Sequence, residues 1–367
     1  MTHQIRTTVP CDNRRHDTEV NQKMSESQLL AVEELHIHFP MRQGLVKAVN
    51  GATLDIRKGE ILGLVGESGC GKSVLSLSLM RLVAKPGRIV RGRILLTRQD
   101  TDGTANVVNI TSLSDRSNEI REIRKKDISL IFQEPMSSLS PVHTIGNQII
   151  ESIKLSDRTI STDAAKKRAI EMLDLVGIPK ATTHVESYTF ELSGGMRQRA
   201  MIAMALASAP TLLIADEPTT AVDVTIQAQI IDLIRKLQEE FQMSVLMVTH
   251  DLAVIATLAN RIAVMYMGQV VETGTRHEIF NDPKHPYTIG LMSSIPRLNT
   301  PLGQRLSSIT GSVPDPFQTV PGCVFHPRCD RFMPGRCDRT EPNGVEITPT
   351  HHVKCLLYRD RGDTPAC

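Results

Sequence analysis

An α/β fold, with a parallel sheet covered by helices on both faces and a small irregular carboxy-terminal domain, is the architecture this sequence predicts. Three observations predict it. Short, wholly apolar runs at 61–65, 212–215, 245–248 and 262–267 alternate with helical stretches. Strands that alternate with helices form a parallel sheet buried on both sides. A glycine-rich turn at 66–71 joins the first run directly to a helical segment. Composition then breaks near residue 281: twelve of the 20 prolines and five of the seven cysteines lie beyond it. At about 100–200 residues per domain, a chain of 367 residues fits two domains.

The elements follow in order. Residues 1–28 are polar and read as a loosely held, disordered arm. Leu30, Val32, Leu35, Ile37 and Phe39 have strand spacing, and 46–56 reads as a second strand closed by Lys58-Gly59. The middle of the chain, about 136–210, reads as mostly helical. Residues 145–153 and 164–176 have helical periodicity, and Gly177 with Pro179 stops the second. Ser193 is placed to cap a helix over 193–208. Ile226, Ile230, Leu233, Ile234 and Leu237 form one apolar face of a helix over 224–240. A short helix is expected at 252–258. No internal repeat is visible.

Composition excludes several classes. Lys and Arg number 42 against 40 Asp and Glu, and aromatics are 3% with no Trp. Neither a basic face nor a base-stacking platform is implied, so no nucleic-acid partner is expected. No apolar run reaches the ~20 residues that span a bilayer. The amino terminus has no apolar segment of a signal peptide, so the chain is expected to stay in the cytoplasm.

Gly66-Glu67-Ser68-Gly69-Cys70-Gly71-Lys72-Ser73 fits the pattern G-x-x-x-x-G-K-[ST]. Such a loop curls so that backbone N–H groups face a phosphate. Its Lys reaches the β/γ-phosphates, and its Ser hydroxyl meets Mg²⁺. The helix that follows adds its positive end. Cys70 is read as a small side chain rather than a redox switch. A second motif, Leu212-Leu213-Ile214-Ala215-Asp216-Glu217, ends a strand in two carboxylates. Asp216 suits the Mg²⁺ shell and Glu217 suits a general base acting on water.

Between them lies Leu192-Ser193-Gly194-Gly195-Met196-Arg197-Gln198-Arg199. This string resembles the signature of ATP-binding cassette (ABC) ATPases. The resemblance implies a P-loop NTPase core with an antiparallel β subdomain and a helical subdomain. It implies a Q-loop at Gln133, touching Mg²⁺ or the attacking water, and a switch histidine at His250, touching the γ-phosphate. Asp223 resembles the D-loop residue, with Val222 where the family usually has Leu. Ser193, Gly194 and Gly195 would close over ATP bound by a partner cassette. Phe39 is the candidate adenine-stacking aromatic, with a core role the equal alternative.

The strings 133–142 and His285-Pro286-Tyr287-Thr288, with Gly311, Pro314 and Pro321-Gly322-Cys323 in the tail, resemble the oligopeptide/dipeptide/nickel importers. That resemblance implies a nucleotide-binding domain at 29–280 and a family-type tail at 281–367. It further implies a heterodimer with a second ATPase, two transmembrane permease subunits and, indirectly, a solute-binding protein. The location implied is the cytoplasmic face of the bacterial inner membrane. Peptides are the expected cargo, with nickel or glutathione as alternatives. A soluble cassette ATPase acting on nucleic acid or ribosomes is the competing class.

Cys323, Cys329, Cys337 and Cys355 are separated by 5, 7 and 17 residues. Clustered thiols in a cytosolic chain suggest a metal site, with iron–sulfur or zinc chemistry, rather than disulfides. The spacing lacks the C-x₂-C pairs common in zinc sites. The family resemblance implies a [4Fe–4S] cluster; zinc and no metal remain alternatives. His326, His351 and His352 are candidate substitute ligands. The proline-rich tail is not expected to build helices or central strands of its own.

Overall fold

The computed structural model describes residues 24–99, 104–133, 138–220, 223–294 and 309–361. Residues 1–23 of the expected arm, Glu134 to Ser137, Ala221, Val222, Cys11 and Cys367 lie outside the described residues.

Strands β1 (Gln28–Met41) and β2 (Gly44–Arg57) form a long antiparallel hairpin. Next come β3 (Ile61–Val65), β4 (Arg88–Gln99), β5 (Ala105–Asn109), β6 (Ile128–Ile131), β7 (Leu212–Asp216), β8 (Ser244–Thr249), β9 (Arg261–Tyr266) and β10 (Gln269–Thr275). The tail adds β11 (Val345–Thr348) and β12 (His351–Val353). One sheet is antiparallel, in the order β2-β1-β4-β5. The other has eight strands, β11-β12-β10-β9-β3-β8-β7-β6, parallel from β6 to β9. Every residue of β3, β7, β8 and β9 is buried. Helices and the antiparallel sheet cover the two faces, so the continuous apolar runs are what such strands require.

The helices Ile145–Ser156, Thr162–Leu175 and Gly194–Leu206 pack on one another as a separate layer. Each opens on a hydroxyl cap: Thr144, Ser161 and Ser193 accept the N–H of Asn147, Ala164 and Met196. Helix Val224–Phe241 buries Ile230, Leu233, Ile234 and Leu237, the face expected from periodicity.

The tail departs from expectation. It supplies two strands to the main sheet, with Glu272 opposite Val353 and Thr273 opposite His352. The physical reason is local. Between 345 and 353 the one proline is Pro349, which sits in the turn between β11 and β12 and takes no ladder hydrogen bond. Helix Pro286–Ser293 likewise tolerates its proline at the first position.

Candidate functional site

The parallel register sets Val65 beside Thr249 and Asp216 beside Val248. The carboxyl ends of β3, β7 and β8 therefore open onto one edge, where ligands bind in open α/β sheets. The glycine loop leaves β3 there. Gly71 has φ +103, and a Cβ on it would sit 2.1 Å from the Ala48 carbonyl oxygen, so only glycine fits. Lys72, 6% exposed, donates from Nζ to the carbonyls of Gly66 at 2.8 Å and Glu67 at 3.1 Å. Cys70 is buried, and burial pushes its thiol up, as an inert small side chain requires.

The two carboxylates ending β7 have different surroundings. Asp216 accepts from Ser73 Oγ at 3.2 Å and Ser76 Oγ at 3.4 Å. Burial pushes its carboxyl above the usual range. Glu217 adds to the rise and the two hydroxyls oppose it. Glu217 is turned outward by a left-handed backbone, φ +48, and its N–H bonds the Val248 carbonyl at 2.8 Å. Its carboxylate receives His250 Nδ1 at 3.0 Å, Gln133 Nε2 at 3.1 Å and Thr220 Oγ1 at 3.1 Å. Burial works against its charge, but the bonds from His250 and Thr220 and the charge of Lys72 outweigh it and hold the carboxyl below the usual range.

Lys72, Ser73, Gln133, Asp216, Glu217 and His250 are thus brought together. Lys72, Ser73, Gln133 and Glu217 line a cleft of about 390 Å³ with Ser68, Gly69 and Gly71, and Asp216 and His250 join it through Ser73 and Glu217. The arrangement can cradle a polyphosphate, hold a hard cation between Ser73 and Asp216, and orient a water from Glu217.

Other predicted residues stand elsewhere. Ser193, Gly194 and Gly195 open the helix Gly194–Leu206 and do not line the cleft; Gly195 packs on Ile226. Asp223 caps the helix Val224–Phe241, accepting the Ile226 N–H at 2.9 Å. Phe39 also does not line the cleft; its ring lies against Gly87 at the edge of the apolar core. Glu67 turns away from the cleft towards the tail, where Arg328 holds its carboxylate.

Sequence reasoning missed two sets of residues. Buried Gln198 donates to the Pro218 carbonyl, joining the signature helix to the segment after Glu217. Val313, Pro314 and Pro316 of the tail line the cleft. The glycine and prolines there were visible as a motif, but nothing in their spacing pointed to this cleft.

The four tail cysteines are neighbours and form no disulfide; three are buried and Cys329 is half-buried. Burial pushes the Cys323 thiol up to about 12 and the Cys355 thiol up to about 11, with the other thiols adding to both. Among the described residues, however, no group of three or more His, Cys, Asp or Glu side chains could hold a metal ion as placed. The substitute ligands are engaged elsewhere. His351 Nε2 lies 2.7 Å from the Glu272 carboxylate, His326 Nδ1 3.0 Å from the Cys323 carbonyl oxygen, and His352 faces Glu346. The tail is joined to the body by β12, by the buried hydrogen bond between His351 Nε2 and Glu272, and by the Glu67–Arg328 ion pair.

Comparison with known proteins agrees with this geometry. A family model described as "ABC transporter" matches residues 49–220, and one described as "Oligopeptide/dipeptide transporter, C-terminal region" matches 271–337. The dipeptide transport ATP-binding protein DppD of Bacillus subtilis is 46% identical over 92% of this chain and 96% of its own length. The oligopeptide transport ATP-binding protein OppD of the same organism is 46% identical over 91% of this chain and 90% of its own. The solved structure of a dimeric bacterial ABC transporter cassette aligns with a TM-score of 0.58 at 27% identity, covering 68% of this chain and 99% of that one.

Proposed function

Because the chain belongs to the ABC-transporter family of oligopeptide and dipeptide transport ATPases, we propose that it powers import of di- and oligopeptides across a bacterial cytoplasmic membrane. It is an ABC-type ATPase with the cassette fold. The observation that carries the assignment of roles is the single carboxylate of Glu217, which gathers Gln133 and His250 at the mouth of the phosphate loop.

In this reading the loop 66–73 and Lys72 hold the β- and γ-phosphates of ATP. Ser73 Oγ and Asp216 Oδ1, 3.2 Å apart, are a hard-oxygen pair that suits Mg²⁺, whose charge offsets that of the phosphates when bound. Glu217 orients the attacking water and accepts its proton. Its lowered carboxyl keeps it ionised for that task. Gln133 and His250 hold Glu217 in place and sense the γ-phosphate. Phosphoryl transfer of this kind is mostly positioning and charge stabilisation.

Ser193, Gly194 and Gly195 then serve the ATP of a second, unlike cassette. Their position outside this chain's own cleft supports that assignment, as does Val224, 82% exposed beside Asp223. Exposed Phe132 next to Gln133, and the stacked, exposed pair Tyr188 and Phe190, support docking of two permease subunits on the helical layer. Among the described residues no helix is long and apolar enough to cross a membrane. Attachment at the cytoplasmic face would therefore run through the permeases, with a solute-binding protein delivering cargo. The residue ranges 29–280 and 281–367 serve as motor and family-specific tail.

The four cysteines are proposed as ligands of a [4Fe–4S] cluster, with zinc the alternative. This rests on the family resemblance and on their shared neighbourhood. As placed they do not fit a single ion, and no step of hydrolysis is derived through a metal there. An absorbance spectrum and metal analysis of anaerobically purified protein decide it: a broad band near 400 nm with iron and sulfide supports the cluster, and metal-free protein removes it.

The functional test is ATP turnover in the transporter assembled with its permeases in vesicles. Stimulation by a binding protein loaded with di- or oligopeptides is expected. Stimulation by nickel or glutathione alone overturns the cargo. Co-purification with nucleic acid rather than permeases overturns the transport reading.

A further inference from the structure

The phosphate motifs account for one end of the 390 Å³ cleft. Much of the rest of its wall comes from residues that belong to no nucleotide motif: Val46, Lys47 and Ala48 of β2, Met267 and Gly268 after β9, and Val313, Pro314 and Pro316 of the tail. Phe39, the aromatic expected to meet the base, is turned onto Gly87. Apart from Lys47 this wall is apolar, and an apolar wall beside a phosphate cradle suits the part of a nucleotide that carries no charge.

The tail segment is anchored along its length. Ile309 packs on Gly290, where a Cβ would come within 2.8 Å of it. Asp315 closes a turn, accepting the Phe317 N–H on its side chain and the Gln318 N–H on its carbonyl, both at 2.8 Å. The Phe317 ring then rests on Gly44 at the tip of the β1–β2 hairpin. Before the turn, the Thr310 carbonyl accepts Arg328 Nε at 3.1 Å.

Arg328 is the junction. Its side chain is 4% exposed and lies 5.8 Å from the centre of the Tyr266 ring. The same guanidinium that holds Thr310 donates to both oxygens of Glu67, at 2.7 and 3.1 Å. Glu67 is held a third time, its N–H donating to Tyr287 Oη at 2.9 Å. One planar fork thus fixes the tail segment and the phosphate loop at once, a geometry an ammonium group cannot reproduce.

We propose that residues 313–316 form the base-side wall of the nucleotide site, and that Arg328 is the positioning residue aligning this wall with the phosphate loop. The proposal rests on the reading that the cleft holds ATP. Val313, Pro314 and Pro316 face the cleft while the Asp315 carboxylate is taken up by the Phe317 N–H, so this wall takes the flat face of a purine and adds affinity without reading its edge. A ligand with phosphates and no base gains nothing from it.

The test is equilibrium binding of Mg-ATP and of Mg-tripolyphosphate to the full chain. Val313 is 39% exposed, so Val313→Ser with Pro314→Ser is compatible with folding. This variant is expected to bind ATP about tenfold more weakly and to bind tripolyphosphate as the wild type does. Arg328→Lys, which keeps the charge but not the fork, is expected to weaken both ligands and to weaken ATP more, with binding read at a temperature below its lowered unfolding midpoint. Wild-type protein that binds neither ligand overturns the ATP reading and the wall with it. Wild-type protein that binds both, with variants that keep its ATP-to-tripolyphosphate ratio, overturns the wall alone.

Discussion

At the sheet edge, Lys72, Glu217 and His250 each stand within a few residues of a wholly buried strand. In the tail, Arg328 and His351 reach the body of the molecule from a short 3-10 turn and a three-residue strand, each through one carboxylate: Glu67 and Glu272. The first region is positioned by backbone register, repeated over many apolar residues. The second is positioned by a few polar contacts between residues far apart in the chain. The difference teaches where each region is vulnerable. A single side chain at the sheet edge can be removed with the scaffold intact, whereas a single side chain in the tail carries part of the scaffold.

Changes at either region sharpen or break this contrast. The largest effect is expected from Glu217→Gln, which retains the carbonyl oxygen but loses the base. Turnover should fall by about 10³-fold or more, with ATP still bound and the unfolding midpoint unmoved. Substantial turnover in the assembled transporter would sink the role given to Glu217.

Next is Glu272→Leu. Glu272 is 1% exposed and accepts from the backbone N–H of Lys284 and His285 as well as pairing with His351. Removing it leaves two buried donors and one half-buried donor without an acceptor, and a loss of about 3–5 kcal/mol is expected in denaturant unfolding. A loss below about 1 kcal/mol would show that the tail does not depend on this contact.

A third effect depends on pH. Full burial lowers His285 to about 4, with the charge of Glu272 opposing. Because this folded value lies below the ordinary 6.5, the contribution is complete above the unfolded value and is lost as pH falls towards 4. The unfolding midpoint should drop between pH 6.5 and 4. His285→Asn should flatten that drop, and an unchanged slope would assign it to other groups.

The smallest is Thr275→Ala. Thr275 and Glu278 form a reciprocal cap on the helix Arg276–Asn281, where sheet and tail meet. A loss of about 1 kcal/mol is expected, read by thermal unfolding, with turnover of the folded fraction unchanged.

Legibility in the sequence divides along the same line. The strand at 61–65, the glycine loop and the Asp216-Glu217 pair were readable because each is a contiguous string with a local physical meaning. The helix stop at Gly177 is of the same kind; its φ is +76. The antiparallel strands β4 and β5 are not separable in the sequence, since Arg and Thr in β4 and the short, mostly exposed run of β5 hide the alternation. Phe39 is ambiguous in the sequence because an aromatic at a strand end can face a ligand or a core, and its proximity to Gly87 leaves no trace in the string. The pairing of β12 with β10 was hidden by the prolines around it. Arg328 and Glu67, 261 residues apart, had no periodic signal to join them.

By itself the sequence determined the cassette's chemistry: a phosphate loop, two strand-end carboxylates and a signature string, each encoded in neighbouring residues whose geometry the backbone dictates. Only the tertiary structure decided that the tail continues the main sheet, that its cysteines lie together without closing on an ion, and that its prolines line the cleft beside the glycine loop. The reason is the range of the forces. Backbone hydrogen bonding and apolar periodicity act over a few residues and leave a pattern in the string. Ion pairs and wall contacts between distant segments exist only once the chain has folded.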